Sequence, residues 1–424
     1  MSVDSPPHGE NNCPHGDKNK AIMKMLFYHK CRKPSIRVIH SVKVGISLVL
    51  VSLLYLLDPL FEDIGENAMW AIMTVVVVFE FTAGATLSKG INRAIGTILG
   101  GGLGCLAAIL GDKFEGTGNA IIVGTSVFII GAAATYSRLV PRIKRRYDYG
   151  CMIFILTFNL VAVSGVRADK VVALAKVRLS TIGMGFAVCI FISLLVFPIW
   201  ASDQLHDSTA SKFEKLASCI SECLEEYFSI PNKEENKPKK ADVSGCKAVF
   251  HSKSTDESLA NFAKWEPWHG KFGLSYPWEK YLEIGETLRE LAALILSLRV
   301  CIQSSKQPEL DQRDAIKEGC ELAGLSMVWI LRELGESILT MKQCRSKTTI
   351  TPKLQTIKLE LSKLTLLPMP MNKGLKDYKD ETHHLGTSSF IFLLMEITHK
   401  IEDVADRVEQ LGQIASFQAK TMDV

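Results

Sequence analysis

Six apolar runs lie between Val42 and Trp200, at 42–60, 68–83, 91–110, 120–140, 149–166 and 171–200. A helix of roughly 20 mostly apolar residues crosses the hydrocarbon of a bilayer. A chain crossing lipid must satisfy its backbone polar groups internally, which restricts each run to a helix. The second run is short and Gly84 follows it at once. A tight hairpin into the third run is therefore expected. The sixth run is long enough to protrude from the bilayer. From Ala201 onward the chain instead mixes charged and apolar residues as a water-exposed helical domain does. The expected fold class is all-α. A largely disordered segment covers 1–36, a six-transmembrane-helix membrane domain 37–200, and a cytosolic helical domain 201–424.

Charge in the short loops orients the bundle. The segment before the first run carries Lys24, Lys30, Arg32, Lys33 and Arg37. The loop after the fourth carries Arg138, Arg142, Lys144, Arg145 and Arg146, and the turn between the second and third holds Lys89 and Arg93. The loop DPLFEDIGEN carries Asp58, Glu62, Asp63 and Glu66 and no base. Cytosolic loops are the ones enriched in Lys and Arg, so both termini and the charged half are expected in the cytosol. The N-terminus shows no secretory signal, and no Asn-x-Ser/Thr sequon occurs.

Gly96, Gly100 and Gly104 fall on one face of the third run. Small residues at this spacing let a second helix approach closely, and helix packing is the reading preferred here over a flexible gate.

The same bundle contains Lys43, Glu80, Lys89, Arg93, Arg138, Lys176 and Arg178. A charge at the bilayer centre costs at least about 2.5–3.5 kcal/mol, so such residues face a cavity or a partner. Lys43, Lys89 and Arg138 lie near a membrane boundary, where a long cationic side chain can also reach the headgroups. Arg93 and Arg178 lie deeper, toward opposite ends of the bundle, and are expected to face a water-filled route. Glu80 is expected to pair with Lys89 or Arg93, because a carboxylate repels an anion. Bases outnumber acids within the runs, and basic rings select anions. A guanidinium stays charged and holds a carboxylate through two hydrogen bonds. Acids and His in series, which a proton relay would need, are scarce.

The stretches MWAIMTVVVVFEFTAGATLSKGINR, YDYGCMIFILTFNLVAVSG, LLVFPIWASDQLH and SKSTDESLANFAKWEPWHG together resemble the plant aluminium-activated malate transporter family. They occur in the family's order and include the Trp-Glu-Pro tripeptide at 265–267. The resemblance implies a dimeric anion channel conducting malate and inorganic anions, gated by voltage and malate. It implies six membrane helices and a helical cytosolic domain per protomer. It also implies that Lys89, Arg93 and Arg178 line the pore. The anion pathway is therefore assigned to Arg93, Arg178, Lys89, Arg138 and Lys43, with Glu80 as a charge partner.

Aluminium-responsive relatives are thought to carry acids on the outer side. Here the corresponding stretch, SGVRADKVVALAKVRLS, offers Asp169, while Ala173 and Lys176 stand where those relatives carry acids. A trivalent cation needs several hard oxygen ligands, so aluminium activation is expected to be absent or weak. Asp169 is the one weak metal candidate. The resemblance and the short stretch before the first run favour the plasma membrane over the vacuolar membrane.

In the second half, Phe213, Leu216, Ile220, Leu224 and Phe228 form one helical stripe. Further helices are expected over 279–303, 312–342, 354–366 and 390–417. The last carries Ile397, Ile401, Val404, Val408 and Leu411, suited to the domain core or to a dimer interface. Trp265, Trp268, Tyr276 and Trp278 are expected in the core. The eleven Cys lack metal or paired-disulfide spacing. No phosphate loop or nucleophile–base constellation occurs, so no cofactor, no nucleic-acid partner and no catalysis are expected. The partners that the resemblance implies are malate, inorganic anions and a second copy of the chain, and the apolar runs add the lipid bilayer. The rival functions are a proton-coupled carboxylate carrier resembling aromatic-acid exporters, and a non-transporting membrane scaffold.

Overall fold

The computed structural model describes residues 36–56, 68–114, 116–164, 171–229, 240–273, 275–303, 310–343, 349–366 and 378–418. Among these residues the regular structure is helical, and β-pairing is confined to two isolated bridges. The chain divides into two compact units: Met1–Phe81 with Lys89–Pro198, and Thr82–Ser88 with Ile199–Val424.

The first unit contains α1 (Ile36–Leu56), α2 (Ala68–Val78), most of α3 (Ala83–Asp112), α4 (Thr117–Leu139), α5 (Pro141–Ser164) and α6 (Val171–Leu195). These six helices fall on the six apolar runs. Four stretches are long and apolar enough to cross a membrane: Ile36–Leu53, Ala83–Asp112, Thr117–Leu139 and Arg146–Ser164. The other two apolar stretches, Met69–Val78 and Leu179–Leu195, fall short of that length among the described residues. α2 stops at Val78, before the polar turn that Glu80 and Thr82 begin.

Two apolar clusters hold the unit. Val51 of α1, Ala71 and Val75 of α2, Phe79, and Cys189 and Ile192 of α6 form one. Ala107 of α3, Val123 of α4, and Phe158 and Ala162 of α5 form the other. The glycine face of α3 packs on α5. A Cβ at Gly96 would lie 2.5 Å from the Gly150 carbonyl oxygen, and one at Gly100 2.6 Å from that of Phe154. The spacing of four thus serves close helix contact, as read from the sequence. Outward faces remain apolar: Leu106, Ile109, Phe128 and Ile129 are exposed, as residues facing lipid would be.

The second unit contains α7 (Ala201–Phe228), α8 (Ser244–Phe250), α9 (Lys253–Ala263), α10 (Trp278–Ile302), α11 (Leu310–Thr340), α12 (Thr351–Leu366) and α13 (Tyr378–Ile414). One core joins them, and α7 lies against α11 while α10 lies against α13. On α7, Phe213, Leu216, Ile220 and Leu224 are buried, and Phe228 packs partly against them. The α13 stripe Ile397, Ile401, Val404, Val408 and Leu411 is buried inside this same core. Tyr276, Trp278 and Tyr281 form an aromatic nest around Phe272. Trp268 departs from expectation and is 76% exposed. It follows Pro267 in a segment without helix, and that segment turns its ring outward.

Two polar groups in this core carry energetic weight. Lys212 donates to Asp256 Oδ2 at 2.5 Å, and Arg289 reaches the same oxygen at 3.3 Å. Ser252 donates to it at 2.9 Å. Burial pushes the Lys212 ammonium below the usual lysine range, against the pull of Asp256. His206 lies between the Tyr281 hydroxyl, 2.8 Å from Nδ1, and the Leu339 carbonyl, 3.3 Å from Nε2. Burial lowers its pKa as well.

Candidate anion pathway

Two of the candidate charges of the first unit, Lys89 and Arg93, sit where α3 meets α5. Asn92 and Arg93 are both buried on α3. Asn92 Nδ2 donates to the Arg146 carbonyl at 3.2 Å, which fixes this turn of α3 against the start of α5. Arg93 Nη1 donates to the Tyr149 hydroxyl, also at 3.2 Å. Among the described residues its Nε has no hydrogen-bond partner and Arg93 makes no ion pair. A guanidinium has five donors. Arg93 is 5% exposed and, among the described residues, gives one hydrogen bond to a neutral hydroxyl and none from Nε, which leaves donor capacity free.

Lys89 lies one turn before Arg93 on α3 and forms an ion pair with Glu80. Its ammonium also sits 5.8 Å from the centre of the Tyr149 ring, within reach of a cation–π attraction. Tyr149 therefore contacts both cations. Sequence reasoning missed it, because a tyrosine at the end of an apolar run reads as an interfacial anchor.

Arg138, at the end of α4, faces Asp148 of α5 through Nε–Oδ1 at 2.8 Å and Nη2–Oδ2 at 3.3 Å. Both side chains are partly exposed, at 34% and 41%. Arg138 thus meets a carboxylate that the sequence reading did not name. Lys43 of α1 is 2% exposed, among the most deeply buried large side chains of the protein. Arg178 lies on α6, with its side chain outside the described residues. Asp169 also lies outside them. Among the described residues, no group of three or more His, Cys, Asp or Glu is placed to hold a metal ion.

The structure thus brings Arg93, Lys89 and Glu80 together around Tyr149, and sets Arg138 on Asp148. This region therefore offers a buried guanidinium with no carboxylate partner among the described residues, and an ammonium paired with Glu80. The first can replace part of the water shell of a carboxylate.

Comparison with known proteins bears on the same residues. The profile of the family described as "Aluminium activated malate transporter" matches residues 30–384. "Aluminum-activated malate transporter 12" of Arabidopsis thaliana is 45% identical over 328 residues, covering 77% of this chain and 58% of that protein. "Aluminum-activated malate transporter 13" of the same plant is 44% identical over 339 residues, covering 78% and 62%. "Aluminum-activated malate transporter 2" is 38% identical over 387 residues, covering 91% and 76%. The chain spans about three fifths of the length of the first two. The match takes in every candidate charge from Lys43 to Arg178 and extends through most of the helical second unit. The chain belongs to the aluminium-activated malate transporter family.

Proposed function

We propose that the chain is a passive anion channel that conducts malate, and inorganic anions with it, through a pathway lined by Arg93, Arg178, Lys89, Arg138 and Lys43. The observation that carries the reading is Arg93: buried, bonded to a neutral hydroxyl, and unmatched by a carboxylate among the described residues. The names of the relatives point to malate as the cargo. Glu80 shields Lys89, so an arriving dianion competes with it for the ammonium. The electrical gradient supplies the direction. A dianion moved through 100 mV changes free energy by about 4.6 kcal/mol, twice the single-charge value.

Voltage and malate control opening, and two copies assemble in the plasma membrane with both termini in the cytosol. The basic loops at 138–146 and before α1 support that orientation. Aluminium activation is absent or weak, because Lys176 adds positive charge to the outer stretch where hard ligands would be needed. No catalysis accompanies transport.

Whole-cell currents from cells expressing the chain, with malate, nitrate and chloride varied on each side, test this reading. Currents should reverse at the anion equilibrium potential and should not require a proton gradient. Dependence on a proton gradient would establish a coupled carrier instead, and absence of current would establish a scaffold. Arg93→Ala and Arg178→Ala should reduce anion conductance while leaving delivery to the membrane intact.

A further inference from the structure

Hydroxyls on the helices of the first unit commonly close onto their own backbone. Ser47, Thr74, Thr125 and Ser137 each donate to the carbonyl four residues back, at 2.7–2.9 Å. This is the ordinary local partner of a Ser or Thr inside a helix. Thr97 of α3 does otherwise. It is 8% exposed, and among the described residues its Oγ1 has no hydrogen-bond partner. A buried hydroxyl left unmatched costs the free energy of its desolvation. The Arg93 carbonyl lies four residues back, and Thr has a helical rotamer that bonds such a carbonyl. The hydroxyl therefore stands free although a local acceptor is at hand.

The residue one turn earlier on α3 shares this condition. Arg93 Nε is buried and, among the described residues, also lacks an acceptor. Residues four apart on a helix lie on one face, with Cβ atoms roughly 5–6 Å apart. Side chains lean toward the helix N-terminus, which inclines the Thr97 hydroxyl toward the turn that bears Arg93. Two buried donors in want of an acceptor thus occupy successive turns of one helix face. The neighbouring helix α5 meets this face only in part. Its Tyr149 hydroxyl takes Arg93 Nη1. One turn beyond Thr97, a Cβ added at Gly101 would meet only Thr157 Cγ2, at 3.9 Å. Along this side α3 presents a guanidinium, then a hydroxyl, then bare backbone.

We infer that Thr97 is a specificity-determining residue of the anion pathway: its hydroxyl donates to one carboxylate of a dicarboxylate whose other carboxylate is held by Arg93. The inference rests on the conduction reading above and adds the class of anion that the pathway favours. A dicarboxylate carries two acceptor groups on one carbon chain, so it meets both turns of α3 at once. A halide is a single acceptor. With the guanidinium held toward Tyr149 through Nη1, a halide satisfies one turn at a time, because a hydrogen bond spans only about 2.5–3.2 Å between heavy atoms. Arg93 supplies charge to every anion alike. Thr97 adds no charge and separates anions by the number and spacing of their acceptors. The free energy lost in burying the unmatched hydroxyl is recovered only when an acceptor arrives.

The test uses the full-length chain in two readouts. The first is the melting temperature of the detergent-solubilised protein, titrated with sodium malate against sodium chloride at equal ionic strength. The second is the malate-to-chloride permeability ratio, taken from reversal potentials. Thr97→Val keeps the shape and removes the hydroxyl. The malate concentration needed for a given rise in melting temperature should increase about fivefold, the scale of one lost hydrogen bond. The permeability ratio should fall by about the same factor. Without malate, Thr97→Val should melt higher than the parent, because the unmatched hydroxyl is gone. Thr97→Ser restores the donor and should recover most of the malate dependence and of the ratio. A ratio unchanged in Thr97→Val overturns the inference, as do equal losses of malate and chloride current, or Thr97→Ser behaving as Thr97→Val does. Should Thr97→Val fail to reach the membrane, Thr97→Ala removes the same hydroxyl with less bulk and carries the same expectations for malate dependence and ratio. Absence of anion current from the parent chain would remove the conduction reading itself. The malate titration still decides the contact in that case, and a parent chain whose melting does not respond to malate overturns the inference.

Discussion

The Arg93 guanidinium donates to the Tyr149 hydroxyl across 3.2 Å, joining α3 to α5 through one charged and one neutral group. A hydroxyl partner holds the cation in place without cancelling it. Tyr149→Phe should therefore leave the channel assembled but free one more donor for the anion. The expected result is tighter malate binding, by about fivefold for a hydrogen bond near 1 kcal/mol, with lower maximal conductance. The dependence of unitary conductance on malate concentration measures both. If Arg93 lines the pathway as proposed, Arg93→Ala should instead reduce malate conductance by at least about tenfold, the scale of removing one buried charge.

Glu80 and Lys89 form an ion pair beside this site. Glu80→Gln should leave the ammonium unpaired and raise the local positive potential. Currents at low malate should increase severalfold and become more sensitive to ionic strength, because exposed charges are screened by salt. Recordings at two ionic strengths check this. Unchanged or smaller currents would exclude a shielding role for Glu80.

The glycine face of α3 makes a matched pair of substitutions informative. Gly100→Ala places a methyl group 2.6 Å from the Phe154 carbonyl oxygen and should destabilise the membrane unit by about 1–3 kcal/mol. Gly102 has nothing within 4 Å of an added Cβ. Gly102→Ala should be neutral, or stabilising by up to about 1 kcal/mol from helix propensity. Thermal melting of the detergent-solubilised full chain distinguishes the two.

His206 should make stability depend on pH. Burial lowers its folded-state pKa below 6.5, so the unfolded chain takes up a proton first as the pH falls. Stability should therefore decline as pH drops through 6.5 and level off once the folded-state value is passed. His206→Gln should flatten this part of the melting-temperature profile. A slope that survives the substitution would assign it to another group.

Asp256 balances two cations, Lys212 and Arg289, in the core of the second unit. Asp256→Asn should cost about 3–5 kcal/mol, because buried positive charge would lose its counterion. Lys212→Met should cost less, since Arg289 still faces the carboxylate. Denaturant unfolding of the full chain, followed by tryptophan fluorescence, ranks the two.

The sequence showed the six helical runs because lipid imposes a simple rule on length and polarity. The stripes of α7 and α13 were legible for a related reason: Phe213, Ile220, Ile397 and Val404 repeat at the helical period and are buried accordingly. Gly96 and Gly100 could be read as packing residues because four-residue spacing sets one face against a neighbour. Partners far apart in the chain were hidden. Asp148 against Arg138 and Tyr149 against Arg93 depend on how α4 and α5 are placed. Short α8 and α9 carry too few turns for periodicity to reveal them. Trp268 was placed in the core by composition alone, and the irregular chain after Pro267 turned it outward.

The attachment of Thr82–Ser88 to the second unit affects how the protein can be cut. A fragment beginning at Ala201 would contain every helix from α7 to α13 yet lack the strip of chain that lies over the Phe262 carbonyl and the Glu266 side chain. Truncation there would unroof the corner. A soluble piece suited to isolated work would need that heptapeptide restored, either grafted onto its N-terminus or added back as a synthetic peptide.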